Sequence, residues 1–153
     1  MRGVADVVPR LVVVIVLVAV SACAGGTPQL HIETAQAAPP VAGSSQLTVT
    51  IVNSGDGDDE LLGAATDAAD AIEIHETVIA EQRATMREHD SVAIPAGTSV
   101  AFRPGGLHLM LVVPDPTLRE GDTFEVTFDF AHSDDRTITV EVVDFLELAE
   151  SGA

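Results

Sequence analysis

The chain has 153 residues with no lysine, seven arginines and 24 acidic residues, giving a net charge of −17. Such a surface repels phosphate backbones and anionic headgroups, so no nucleic acid is expected among its partners. The one cysteine, Cys23, allows no disulfide within the chain, and with Cys23 modified no thiol remains for nucleophilic or redox chemistry.

Residues 1–22 read as an export signal. Arg2 and Arg10 supply the positive start, and the apolar run from Leu11 to Val20 is shorter than the roughly 20 residues that span a bilayer. Val20-Ser21-Ala22-Cys23 resembles the lipobox of bacterial lipoproteins. That resemblance implies cleavage before Cys23, acylation of its sulfur and an extracytoplasmic protein anchored to the cell membrane by lipid. The mature chain would keep five arginines (seven less Arg2 and Arg10) and 23 acids (24 less Asp6), a net charge of −18. Residues 23–28, small and expected to be flexible, form the lipidated tether.

The domain is expected over residues 29–148, with 149–153 as a short tail. Pro39-Pro40 and Gly43-Ser44-Ser45 mark a loop between the first two strands. The β-branched stretch Leu47 to Val52 predicts a strand, closed by the turn-rich Asn53 to Gly57. Ala64 to Ala71 fits a helical turn. Ala71 to His75 alternates apolar and polar residues, and Ser99–Phe102, Leu107–Val113, Thr123–Phe130 and Thr137–Val143 continue the strand pattern. Turn signals separate them at Pro95-Ala96-Gly97, Pro104-Gly105-Gly106, Pro114-Asp115-Pro116 and Glu120-Gly121-Asp122. Short strands at this spacing predict an all-β domain, an antiparallel sandwich or Greek-key barrel.

The candidate chemistry lies in His75, Met86, His108 and Met110. Beyond Met1 the chain holds only two methionines. Residues two apart on a strand share a face, so His108 and Met110 can point one way while Leu107, Leu109 and Leu111 face a core. Thioether sulfur is soft and neutral; with two imidazoles it suits Cu(I), whereas Zn²⁺ favours thiolate, imidazole and carboxylate. Taken singly, each residue has a plainer reading: a methionine filling a gap in the core, or a histidine satisfied as a polar group. His89, three residues after Met86, reads as a solvated loop histidine, with help in capturing the ion as the other reading. His31 and His132 fit a strand and a turn, and neither is assigned a role.

The complete pattern, His-x10-Met-x21-His-x-Met, is similar to the signature of the PCu(A)C (DUF461) family of periplasmic copper chaperones. Glu73-Ile74-His75-Glu76, Ile94-Pro95-Ala96-Gly97, Pro104 to Met110 and Leu118 to Asp122 match as well. The resemblance covers about Gln29 to Val143. It implies a cupredoxin-like fold, one Cu(I) ion held by His75, Met86, His108 and Met110, and delivery to the CuA centre in subunit II of cytochrome c oxidase. A Sco-type thiol protein is implied as a possible further partner. The His- and Met-rich tail of some members has no counterpart in Glu147 to Ala153.

Rival functions fare less well. No Ser-His-Asp spacing and no Gly-rich phosphate loop supports an enzyme. A blue-copper electron carrier requires a Cys thiolate beside two histidines. A copper-scavenging or storage lipoprotein, or a metal-free β-sandwich interaction module, remains as the alternative.

Overall fold

A computed structural model describes residues 25–80 and 83–151, the side chains of 150 and 151 excepted. The expected signal at 1–22 and the lipidation site Cys23 lie outside the described residues.

Ten strands and one helix follow in order: β1 (Leu30–Ala37), β2 (Ser44–Asn53), β3 (Asp59–Ala65), β4 (Ala69–Ala80), β5 (Arg83–His89), β6 (Val92–Ile94), β7 (Ser99–Phe102), β8 (Leu107–Pro114), β9 (Thr123–Phe130), β10 (Arg136–Val142) and α1 (Phe145–Ser151). The strands pair in the order β5-β4-β8-β2-β1-β10-β9-β3-β6, and a further β3–β4 pairing at Ala64 and Ile72 joins β4 back to β3. Seven strands therefore close into a barrel, with β5, β6 and β7 hung on β4, β3 and β2. Among the described residues only β1 and β10 pair in parallel; the other strand pairings are antiparallel.

Period-two alternation explains the closure. Leu47, Val49 and Ile51 of β2, Leu109 and Leu111 of β8, Val126, Phe128 and Phe130 of β9 and Val140 of β10 all point inward and are buried. The side chains between them face out, so one barrel interior holds the main core. Leu107, expected to join that core, is only half-buried at its margin.

Two expectations are corrected. Ala64 to Ala71 forms no helical turn: β3 runs to Ala65, Asp67 and Ala68 make a turn, and β4 begins at Ala69. The extended conformation wins because Ala64 pairs with Ile72 and Phe128 in the closing sheet. The tail expected at 149–153 is helical up to Ser151. Asp144 caps α1 by accepting from the N–H groups of Leu146 and Glu147, and Leu148 packs against Ala38 and Val143.

Nor is the tether at 23–28 free throughout. Thr27 N–H donates to Asp56 Oδ1 and Gln29 N–H to Asn53 Oδ1, while Gln29 C=O accepts from Ser54 N–H. The approach is so close that a Cβ on Gly57 would sit 2.0 Å from the Gly26 oxygen.

Asp59 ties β3 to the turn after β9. Its carboxylate accepts from Glu60 N–H, His132 N–H and the Ser133 hydroxyl. Burial raises its pKa, but these three donors together outweigh that and hold the group below the usual aspartate value. Stability from this group is therefore present above the unfolded-state pKa and is lost as pH falls through the lower folded-state value. Asp59→Ala is expected to lower unfolding free energy by about 2 kcal/mol at pH 7. The gap to wild type should narrow in acid, as read by urea denaturation at pH 7 and again below the carboxylate range; a pH-independent gap would contradict the assignment.

Candidate metal centre

Three neighbouring strands, β5, β4 and β8, carry the four predicted ligands. His75 on β4 lies directly opposite His108 on β8. Met110, two residues further along β8, lies opposite Glu73, and Met86 on β5 lies opposite Thr77. By strand parity all four project from the outer face of the barrel wall, because Ile74 and Leu109 beside them point inward.

The imidazoles are brought together, with ring centroids 5.9 Å apart in an edge-to-face arrangement. His108 is 1 % exposed. Its Nδ1 lies 2.9 Å from the Gly106 carbonyl, which can only accept, so the proton sits on Nδ1 and Nε2 keeps its lone pair. His75 Nε2 lies 3.0 Å from Glu73 Oε2, and in the neutral ring the same logic leaves the lone pair on Nδ1. Those two lone-pair atoms, His75 Nδ1 and His108 Nε2, are buried and have no hydrogen-bond partner among the described residues. An unpartnered buried polar atom costs about 1–3 kcal/mol, and two on facing rings mark a place built for an electrophile.

The thioethers stand further out. Met110 is half-buried and Met86 is 58 % exposed, and both line one groove of about 510 Å³. Met86 is displaced from the imidazole pair towards the tip of the β4–β5 hairpin, level with Thr77, whereas Met110 is displaced the other way, level with Glu73. Histidines form the inner half of the set and methionines the outer half. Among the described residues no group of three or more His, Cys, Asp or Glu side chains is placed to hold a metal, so hard or thiolate-type centres have no candidate there.

Glu73 and Gly106 orient the imidazoles, and neither was singled out from sequence. Glu73 was legible in principle: two residues before His75 on an alternating strand, it shares that histidine's face. The Gly106 carbonyl carries no such signal, because its direction is set by the turn at Arg103–Gly106.

His89 is not a loop residue. It ends β5 on the opposite face from Met86, where its Nε2 and the Arg87 guanidinium both bond Glu76. Arg87 first and His89 second hold the Glu76 carboxyl below its usual pKa. This trio fastens the edge strand that carries Met86. His31 lies exposed on β1, and His132 follows β9 with its N–H on Asp59.

A closed β-barrel with two facing imidazoles and two groove-lining thioethers on its wall defines a domain of the PCuAC type, cupredoxin-like in fold. Solved structures agree. The structure described as "Copper-bound PCuAC domain from PmoF2" superposes with a TM-score of 0.64 at 26% identity, covering 75% of this chain and 92% of that one. The fold is also shared with "Solution structure of CuI-DR1885 from Deinococcus Radiodurans", at a TM-score of 0.61 and 24% identity, over 76% of this chain and 78% of the other. The chain belongs to the family described as "Putative lipoprotein LpqE-like", whose model matches residues 29–142. A relative from Leifsonia xyli subsp. xyli, "Putative lipoprotein Lxx21020", is 35% identical over 96 residues, 62% of this chain. The match spans 58% of that relative's length. Among the described residues no helix is long and apolar enough to cross a membrane.

Removing the clasp on the far face should loosen β5 without unfolding the barrel. Glu76→Gln is expected to speed amide hydrogen exchange at residues 83–89 while the barrel strands keep their protection, as NMR would show. Unchanged exchange in β5 would mean that backbone pairing to β4 alone sets its order.

Proposed function

We propose that this protein is an extracytoplasmic, lipid-anchored metallochaperone that binds one Cu(I) ion through His75, Met86, His108 and Met110. Its expected recipient is the CuA centre in subunit II of cytochrome c oxidase, with a Sco-type thiol protein as a further partner. The observation that carries the reading is the pair of unpartnered lone-pair nitrogens, His75 Nδ1 and His108 Nε2, on rings in edge-to-face contact. The copper-bound PCuAC neighbour and the family's lipoprotein description support it.

The donor set suits the cargo. Two imidazoles and two thioethers are neutral, so the loaded site carries only the single charge of Cu(I); a second charge would raise the cost in a partly desolvated place. Hydrogen bonds to Glu73 and Gly106 hold the imidazoles in the tautomers that present lone pairs, and ligand-orienting contacts of this kind are commonly worth 10–100-fold in metal affinity. Release by ligand exchange follows from the layering: an incoming ligand reaches the exposed Met86 first, while the buried imidazoles keep hold of the ion. The role is binding and transfer rather than catalysis.

Met86→Ala or Met110→Ala should weaken Cu(I) binding by about tenfold or more, equivalent to about 1.4 kcal/mol, with the fold intact. Anaerobic competition titration measures the affinity and circular dichroism the fold. Undiminished affinity in the double variant would rule out the thioether site. Copper-loaded protein should also metallate an apo CuA domain faster than the free ion does, and failure to do so would favour storage over delivery.

A further inference from the structure

The groove beside the thioethers is more than a mouth for the ion. Val41 on the β1–β2 turn, Phe145 at the start of α1 and Met86 on β5 all line it, and they are 73 %, 60 % and 58 % exposed. Large apolar side chains gathered at one place on a domain of this size mark an interaction surface. The walls are fixed in advance: Asp144 caps α1, buried Leu148 seats that helix on Ala38 and Val143, and Val41 is paired with Ser44 across its turn. Gln46, directly opposite Met110, also lines the groove, and its Oε1 is shielded from solvent with no hydrogen-bond donor among the described residues. A polar acceptor left in that condition is satisfied by an occupant that brings an N–H or O–H.

Charge decides among occupants. Asp144 lines the groove and Glu147 follows on the same helix, while Glu73 and Glu88 sit opposite Met110 and His75 on the ligand-bearing face. The whole chain carries −17. A second copy would bring like charge to this rim, and so would an anionic membrane. A partner with a basic rim fits.

We propose that this groove is the docking surface for the copper acceptor itself, a protein presenting an apolar prow with soft sulfur ligands and a surrounding basic rim. The inference rests on the copper-transfer reading above. It states where the partner sits: against α1 and the β1–β2 turn, over the groove that Met86 and Met110 line. Docking there places the acceptor's ligands beside Met86 and Met110, the two donors most open to displacement, so binding and exchange occur at one place.

The test uses Cu(I)-loaded full-length protein and a purified apo CuA domain as the acceptor. Val41→Ser and Phe145→Ser, singly and together, should leave the Cu(I) dissociation constant within about threefold of wild type and slow second-order transfer by about tenfold or more. Transfer by wild type should also slow as salt rises. Without copper, adding the apo domain should shift the backbone amides of residues 41–46 and 144–147 in NMR spectra. A transfer rate indifferent to both substitutions, or amide shifts confined to other faces, would overturn the inference while leaving copper binding intact. A wild-type dimer dispersed by Phe145→Ser would overturn it too, by assigning the groove to a second copy. A wild type that takes up no Cu(I) would sink the copper reading, and this docking proposal with it.

Discussion

The pairing of β4 with β8 is the constraint from which the site follows. Register places His75 against His108 and Glu73 against Met110. A slip of one residue would turn every side chain on one strand to the opposite face, sending a histidine into the barrel and a leucine out of it. What prevents the slip is the apolar set on the other side of the same strands. Ile74, Leu109 and Leu111 are buried in the core and leave β8 one acceptable orientation. Packing inside the barrel thus fixes the ligand geometry outside it, and the two imidazoles need no loop to bring them together.

Against that rigid pair one of the two methionines is held by weaker means. Met110 belongs to a barrel strand, whereas Met86 rides on β5, which pairs with β4 alone and is secured by the Glu76 contacts to Arg87 and His89. A centre with one yielding donor beside firmer ones is suited to handing over an ion, because that donor can leave first. Strain gathers nearby as well. Val113, three residues after Met110, has a φ of 48°, an unfavourable conformation for a β-branched residue, and its N–H bonds Gly43 in the turn that carries Val41.

The spacing of the two histidines and two methionines, together with the alternation of β2, β8 and β9, made the all-β fold and the ligand candidates legible from sequence. Periodicity is a local signal, and it served wherever local pattern and burial agreed. It failed at Ala64 to Ala71, where an alanine-rich run with helical propensity is drawn into the closing β3–β4 pair. It failed again beyond Val143, where the helix depends on Asp144 as cap and on Leu148 finding Ala38, more than a hundred residues earlier. The Glu73 and Gly106 contacts belong to the same category: they exist only once strands and turn have fixed the direction of the groups involved. How closely the two sulfurs converge on the imidazoles lies beyond what spacing encodes, and Met86 proves to stand two residue pairs along β4 from His75, towards the hairpin tip.

The close seam between residues 25–29 and the Asn53–Gly57 turn sets a direction for the whole molecule. It lies at the Asn53 end of β2, whereas the groove lies at the Ser44–Gln46 end; Asn53 is seven residue steps along the strand from Gln46, roughly 23 Å at about 3.3 Å per residue. Only Ala24 and Gly25 stand between Cys23 and the seam at Gly26. An acyl chain on Cys23 would therefore attach at the pole of the barrel opposite the groove that Met86 and Met110 line.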